Sequence, residues 1–293
     1  AGQGGGGMHR DHLMFAFLAG FALGSPALAG SESIFADDFE NGTACAWGVA
    51  GPDLCGLFAH TGTDLYRLDP NTFELILVGP FNTGGPSIND IAIDKNDRMV
   101  GVSLFKLWSI DRTSGAATEI SDFDGSTDGL TSLAFVPLNE GDPNSAERLI
   151  TIGASGNVYE VNSLTGATTL LGNLGLSSGS QIRAGGDLVS VRGLGTFATV
   201  AVGNTPTDPD CLATIDTTTW AATLVGATST EFDKVFGLGY WGGRVLGFVD
   251  DGSGAGTGRI IDIDTATGVG TLTETTSQRW FGAAVATDAP VAP

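Results

Sequence analysis

One acidic loop of the sequence has side chains spaced as in a cation site. Asp122, Asp124 and Asp128 are separated by two and four residues, with glycines among and after them. Carboxylate oxygens on a bent chain are the ligands that Ca²⁺ prefers. The twelfth position of the loop is Leu133, where an EF-hand would have a bidentate glutamate. Two interpretations therefore stay open: a calcium site, or a solvated acidic turn.

Three further carboxylates lie on or beside predicted strands in different parts of the chain. Asp90, Asp187 and Asp233 could face one another across a cavity. Two carboxyl groups in that arrangement can act as acid and as base or nucleophile, as in glycoside cleavage. Aspartate at a strand end is also an ordinary turn former. These residues are weak candidates for ligand binding, and we assign no catalytic residue.

Aromatic residues and histidine give little evidence of chemistry. Tyr240 and Trp241 end a predicted strand and could stack on a sugar or peptide, although large aromatics also fill the core. His60 is the one histidine after residue 29. We find no GxSxG motif, no phosphate-binding GxxxxGK[ST] loop and no dinucleotide fingerprint followed by a helix. An enzyme is therefore the less favoured prediction.

Composition excludes several classes of protein. The 293 residues include 33 acidic and 13 basic side chains, for a net charge of −20. A phosphate backbone must be met by a basic surface, so nucleic acid is not an expected partner. Hydrophobic residues make up 42% of the chain and charged residues 16%, which argues against disorder. The 45 glycines favour strands and tight turns.

The first 29 residues are predicted to be an upstream tail followed by a signal peptide. A weakly basic start precedes an apolar run over residues 13–23, and residues 27–29 read Ala-Leu-Ala. This order is typical of a secretory signal, with cleavage after Ala29. The apolar run is shorter than a bilayer-spanning helix, so we predict a secreted protein, periplasmic or extracellular, without a membrane span.

Export changes how the cysteines are interpreted. Cys45 and Cys55 lie in the segment that connects the signal peptide to the domain, residues 30–54 and the first residue after it. In an oxidising compartment we expect these two to form a disulfide. Cys211 is then left over, as a buried thiol, an intermolecular link or the true partner of one of the others.

A fifteen-residue unit occurs five times without a gap. The copies begin at residues 65, 107, 158, 212 and 260, about 49 residues apart on average. Each places apolar residues at its second and fourth positions, which predicts a strand, and Asp or Asn at its fifth, which caps a turn. Four positions later three copies have glycine, whereas the others have Phe73 and Trp220. We expect these two turns to differ, because a bulky residue at positive φ costs about 1–2 kcal/mol.

Further strand-like runs precede each unit and predict the fold. Four strands per repeat of about this length correspond to one blade of a β-propeller. The first unit lacks its innermost strand, and a spare strand follows the last unit near residues 280–288. Pairing of the two completes the ring, so we predict an all-β, five-bladed propeller of four-stranded antiparallel blades over residues 55–288. A short tail, residues 289–293, follows it.

The repeat resembles that of exported bacterial β-propeller proteins with LYxID…TGxxTxxG units, most of unassigned activity. Residues 34–47 also resemble an IFxDxFExG…W element found behind bacterial signal peptides. The resemblance of the repeat covers nearly the whole mature chain and implies a fold rather than an activity.

The function we predict is an exported, non-catalytic binding or protein-interaction module. Loops of unequal length, at residues 137–147, 173–184 and 204–210, would recognise an extracellular protein or glycan. One alternative is a hydrolase or lactonase-like enzyme with a channel-bound divalent cation, for which Ca²⁺ would be the cofactor. A second is a structural protein of the cell surface or matrix.

Overall fold

The computed structural model describes residue 1 and residues 56–123, 129, 132–203, 210–228, 232–250 and 257–291. Within these ranges the secondary structure consists of strands, turns and bends, without a helix. Accordingly, no helix capable of crossing a membrane is found in the described part of the chain. The signal peptide, Cys45 and Cys55 lie outside the described residues.

Twenty-one strands form five antiparallel sheets, which we call blades 1 to 5. Blade 1 has β1 (Leu57–His60), β2 (Asp64–Leu68), β3 (Leu75–Pro80) and β21 (Gly282–Ala284). Blade 2 has β4 (Asp90–Ile93), β5 (Met99–Val102), β6 (Lys106–Ile110) and β7 (Ala117–Asp122). Blade 3 has β8 (Ala134–Pro137), β9 (Glu147–Ile152), β10 (Asn157–Val161) and β11 (Thr168–Asn173). Blade 4 has β12 (Leu176–Ser177), β13 (Ser180–Val191), β14 (Gly195–Val202), β15 (Cys211–Ile215) and β16 (Ala222–Ala227). Blade 5 has β17 (Val235–Trp241), β18 (Arg244–Asp250), β19 (Gly258–Ile263) and β20 (Gly270–Thr276).

The two ends of the propeller meet in blade 1, as the repeat count predicts. Strand β21 pairs antiparallel with β1, with Phe58 opposite Ala284 and His60 opposite Gly282. This pairing supplies the inner strand that the first repeat lacks and leaves each of the five blades with four core strands. The prediction of a closed five-bladed β-propeller is confirmed.

Hydrophobic side chains fill the spaces between blades. Trp280, fully buried, packs edge-to-face against Tyr66 of blade 1 and Phe248 of blade 5, with ring centroids 5.7 and 5.5 Å away. Its indole Nε1 donates to Thr276 Oγ1 at 3.0 Å. An aromatic buried in this way contributes about 3 kcal/mol, so Trp280 stabilises the junction where the ring closes.

The five repeated turns have the same backbone geometry, which corrects one expectation. In each copy the Asx side chain at the fifth position accepts a backbone N–H two residues later, at 2.8 to 3.0 Å. Phe73 and Trp220 adopt φ of 58° and 64°, close to the 70° to 78° of Gly115, Gly166 and Gly268. The expectation that these two turns differ was wrong. Trp220 is buried against blade 3 and Phe73 stacks on Arg244 at 5.1 Å, and these contacts offset the backbone cost.

Blade 4 extends beyond the others where the sequence predicts a loop. Residues 173–184 include β12 and the first part of β13, which pairs with Ala201 and Val202 of β14. A bulge at Gly185 and Gly186 interrupts the ladder between this extension and the rest of β13. A Cβ on Gly186 would lie 1.9 Å from the carbonyl oxygen of Val235, so this glycine permits the close approach of blade 5.

Candidate functional site

The inner strands of the five blades place one equivalent residue each around the central channel, at the end where these strands begin. We call this end the loop end and the opposite one the turn end. We define the equivalent residue of each inner strand as the one directly before a backbone N–H group that points to the channel centre. These residues are Asp90, Ser132, Asp187, Gly237 and Gly282. The five equivalent positions thus supply two carboxyl groups, one hydroxyl group and two residues without a side chain.

Five backbone N–H groups, one from each inner strand, donate to the two carboxyl groups. Asp90 accepts from Ile91 at 2.8 Å and from Leu133 at 2.6 Å, which joins blades 2 and 3. Asp187 accepts from the three other amides, at distances of 2.6, 2.7 and 3.4 Å for Leu188, Leu238 and Ala283. Asp187 therefore joins blades 4, 5 and 1, and the two side chains together connect the whole ring.

The two carboxyl groups are also hydrogen-bonded to each other and are fully buried. Burial raises the pKa of Asp90 well above its usual value, and the neighbouring charge of Asp187 raises it further. Burial also raises the pKa of Asp187, whereas the hydrogen bonds from Asp90 and from the backbone amides lower it. Asp90 is therefore the proton donor of the pair and Asp187 the acceptor.

His60, at the end of β1, lies beside this pair and has no exposed surface. Its Nδ1 is 2.7 Å from the carbonyl oxygen of Thr61, to which only a protonated nitrogen can donate. Its Nε2 is 3.9 Å from Asp90 Oδ1 and has no hydrogen-bond partner among the described residues. Burial lowers the pKa of His60 to about 4, so the ring is neutral near pH 7.

The channel below these groups is filled by side chains. A cavity of about 10 Å³ is lined mainly by apolar residues of the inner strands, among them Ala92, Phe135, Val189 and Ala284. A volume of this size holds one water molecule at most. Among the described residues, no group of three His, Cys, Asp or Glu side chains is arranged to hold a metal ion. Neither a substrate nor a hydrated cation fits in this cavity.

The third predicted carboxylate, Asp233, does not join the pair. It is exposed in the connection that precedes β17, four residues before the equivalent position at Gly237. A different acid, Asp210, is buried nearby, and its Oδ2 accepts the backbone N–H of Val235 at 2.7 Å. Burial raises the pKa of Asp210 to about 8. Sequence analysis missed Asp210, whose only signal is its position two residues before a repeat unit.

The proposed calcium ligands are only partly described. Asp122 ends β7, is exposed, and accepts from Lys106 Nζ at 3.0 Å. Glu119 accepts from the same ammonium group at 2.7 Å. Asp124 and Asp128 lie outside the described residues, so the calcium site stays a prediction.

Tyr240 and Trp241 lie at the turn end, where the last residues of the chain cross the ring. The Tyr240 hydroxyl donates to the carbonyl oxygen of Val291 at 3.0 Å, and Trp241 is half-buried. The Arg192 and Gly242 amides donate to the carbonyl oxygens of Thr287 and Pro290. Residues 286–291 therefore cover this end, and the two aromatics support that cover.

The loop end carries exposed apolar side chains beside the closed channel. Leu104 and Phe105, at the tip of the β5–β6 hairpin, are 57% and 68% exposed, and Leu176 in the blade 4 extension is 65% exposed. We call Leu104 and Phe105 the apolar tip. The Phe105 carbonyl oxygen accepts the N–H of Phe123, which anchors the tip to the strand connection.

An open groove of about 780 Å³ lies on the outer face of blade 5. Its lining includes the ion pair of Arg244 and Asp262, at 2.7 Å, and the half-exposed Val269 and Leu272. Arg244 also covers the ring of Phe73 in blade 1. The third charged residue of the lining, Asp264, accepts the backbone N–H groups of Ala266 and Thr267. The charged groups of this groove therefore all have partners within the described residues, and none of them points to a ligand.

No protein-family model matches the chain, and no curated protein does. Among solved structures, a protein of unknown function from Bacteroides caccae is similar over 78% of this chain and 97% of its own, with 11% identity and a TM-score of 0.45. A putative 6-phosphogluconolactonase from Bacteroides fragilis is similar over 78% of this chain and 69% of its own, with 14% identity and a TM-score of 0.38. BamB from Moraxella catarrhalis is similar over 76% of this chain and 65% of its own, with 15% identity and a TM-score of 0.35. Likenesses this distant carry no inference about activity, and it is the strand pairing of the chain itself that makes it a five-bladed β-propeller.

Proposed function

We propose that this protein is an exported binding module that holds a partner against the loop end of its ring. The observation that carries the proposal is an exposed apolar tip beside a channel too full to admit a ligand. Because Phe105 is more than two-thirds exposed, its apolar surface gains by being covered. Export is supported by the signal-peptide pattern of residues 8–29.

The frame behind the tip is suited to presenting a fixed surface. Strand β5 is fully buried, and β6 pairs with it over four residues, so the hairpin leaves the core in one direction. The tip loses little conformational entropy on binding when its supporting strands are already ordered.

Charge indicates the class of partner. Asp122 and Glu119, with side chains 76% and 47% exposed, lie beside the tip and share one cation, Lys106. Together with the net charge of −20 this favours a protein segment that offers apolar side chains alternating with Lys or Arg.

A peptide array with a matched variant tests the proposal. The full chain would be probed against extended peptides that alternate apolar and basic residues, and against acidic counterparts and glycans. We expect binding to the basic set, weakened at least tenfold by the double substitution Leu104→Ser and Phe105→Ser and reduced by added salt.

The control is Leu170→Ser, which removes a leucine 60% exposed on the outer strand of blade 3, away from the tip. It should bind as the wild type does. Equal binding by the tip variant, or binding to glycans alone, would refute this assignment of the surface. Secretion of the full chain, lost on deletion of residues 8–29, tests the export proposal separately.

A further inference from the structure

We propose that Asp90 and Asp187 hold one shared proton that keeps the loop end of the ring closed, so that its loss at higher pH loosens this end. The pair would act as a proton-dependent latch, in which the bound proton is the ligand. The proposal concerns the interior of the ring and is independent of any partner at the apolar tip.

The geometry makes the latch common to all five blades. Asp90 joins blades 2 and 3 through two backbone amides, and Asp187 joins blades 4, 5 and 1 through three. The two carboxyl groups interact with each other, and the proton that we propose between them would link these two sets of blades. A carboxyl–carboxylate hydrogen bond requires one proton, because two carboxylates offer only acceptors.

No other group at the loop end can take the place of the proton. The equivalent residues of blades 3, 5 and 1 are Ser132, Gly237 and Gly282, which do not titrate. The Ser132 hydroxyl accepts the N–H of Ile152 at 3.1 Å, and a neutral hydroxyl group in any case supplies no positive charge to the pair. In the described ranges, no recorded hydrogen bond or ion pair joins a lysine or arginine to either carboxyl group.

His60, the one titratable neighbour contributed by β1, does not supply a positive charge. Its Nδ1 is committed to the Thr61 carbonyl, and its Nε2 is 3.9 Å from Asp90 Oδ1, beyond hydrogen-bond distance. A buried imidazolium without a direct partner would be costly, and the ring stays neutral. A second negative charge on the pair would thus have no counter-charge.

The space around the pair also excludes a cation in place of the proton. A Cβ on Gly282 would lie 2.2 Å from Asp90 Oδ1 and 2.5 Å from His60 Nε2. A Cβ on Gly237 would lie 2.8 Å from the carbonyl carbon of Gly282. The main chain therefore passes directly beside the Asp90 carboxyl group, and this side of the pair has no room even for a methyl group.

The experiment measures the unfolding equilibrium of the full chain in urea at several pH values between about 5 and 8. In the unfolded chain an aspartate has lost its proton above about pH 4, whereas the folded pair retains one. The unfolding constant should therefore rise about tenfold per pH unit for each proton held only by the folded state. In Asp90→Asn this rise should be shallower by about tenfold per pH unit.

The matched control is Glu274→Gln, which removes one negative charge at an exposed position of β20. It should change the unfolding constant without changing its pH slope relative to the wild type. If Asp90→Asn and the wild type have parallel slopes, the proposal is wrong.

A second measurement does not depend on a substituted protein folding well. A buried protonated carboxyl group gives an infrared band separate from that of carboxylates. The wild type at pH 7 should show this band from two carboxyl groups, one in the pair and one in Asp210, whose pKa burial raises to about 8. The part that belongs to the pair should disappear in parallel with the loosening of the ring as the pH rises. If Asp90→Asn does not fold, Asp187→Asn serves for the slope, and a wild-type band no stronger than that of one carboxyl group refutes the proposal.

Discussion

The two ends of the channel are both closed, but by different chemistry. At the loop end two carboxyl groups accept five backbone amides and, among the described residues, have no lysine or arginine partner and only the neutral ring of His60 beside them. At the turn end Glu147 and Arg192 form a buried ion pair at 2.9 Å, and Thr287 from the end of the chain donates to the same carboxylate. One end is neutralised by a proton and the other by a guanidinium group. This contrast means that pH acts mainly on the first.

The turn end has a further acid with a smaller shift. Asp288 is half-buried, and burial raises its pKa to about 6, with Asp97 and Glu147 raising it further and Arg192 lowering it. The guanidinium group therefore compensates part of the negative charge collected there, which the loop end cannot do.

The largest effect is expected from Asp187→Ala. This change leaves the amides of three blades, those of Leu188, Leu238 and Ala283, without their acceptor. A buried donor left unsatisfied costs about 1–3 kcal/mol, so for three donors the free energy of unfolding should fall by roughly 3–9 kcal/mol. Urea denaturation at pH 6 measures it. A fall below about 1 kcal/mol would show that the amides find other acceptors.

At the turn end, Glu147→Ala should have the next largest effect. It leaves Arg192 buried without its carboxylate and removes the acceptor of the Lys95 amide, at 3.0 Å. Breaking one partner of a buried pair costs about 3–5 kcal/mol, here at the low end because Arg192 also donates to the carbonyl oxygens of Asp142 and Ser145.

Glu147→Gln is the control for this substitution, since it keeps an acceptor oxygen and removes the charge. It should cost less than Glu147→Ala in the same urea measurement. If the two variants are equally destabilised, the charge of Glu147 and not its hydrogen bonding is what stabilises the turn end.

The smallest effect, counted per pH unit, concerns the pH dependence of stability that Asp210 confers. Its pKa of about 8 in the folded chain exceeds the unfolded value near 4, so its contribution to stability is complete below pH 4 and is lost as the pH rises to about 8. Asp210→Asn should remove up to about 1.4 kcal/mol per pH unit from the decline of stability in that window. The midpoint temperature of thermal unfolding is measured at pH 5 and at pH 8 for the wild type and for Asp210→Asn. If the difference between the two midpoints is the same in both proteins, the raised pKa of Asp210 is contradicted.

His60 changes the stability of the folded chain in the opposite direction as the pH rises, and so narrows the pH range over which stability declines. Its pKa is lowered to about 4, so protonation of the unfolded chain below pH 6.5 favours unfolding. Between pH 4 and 6.5 it offsets one of the raised acids, and above pH 6.5 it has no effect. The decline of stability with rising pH should therefore be steeper above pH 6.5 than below it.

The sequence predicts the fold well because the same fifteen-residue pattern occurs five times and predicts the same hairpin each time. Any error in one copy is corrected by the others, and the spare strand at residues 280–288 shows where the ring closes. The turns at Phe73 and Trp220 were predicted wrongly, since the strain of a positive φ is visible in the sequence but the burial that offsets it is not. The extension of blade 4 depends on a bulge at Gly185 and Gly186, which a glycine pair alone does not specify.

The candidate site was only partly accessible to sequence reasoning. Asp90, Asp187 and Asp233 were all selected because they lie on or beside predicted strands, but Asp233 lies four residues before the equivalent position. The convergence of five amides depends on ring closure, and two of those amides follow glycines that carry no chemical signal. Burial of Asp210 and His60 likewise comes from neighbouring blades and cannot be read from their local sequence.

Closure through β21 also sets the order in which the chain can fold. The partner of Phe58 is Ala284, so the first blade has no inner strand until residues 282–284 have been synthesised. Contacts between residues so distant in sequence form late, because the long intervening loop has to be closed first. A nascent chain that stops before β21 has no finished ring, and the domain becomes a single cooperative unit only once that strand has paired with β1.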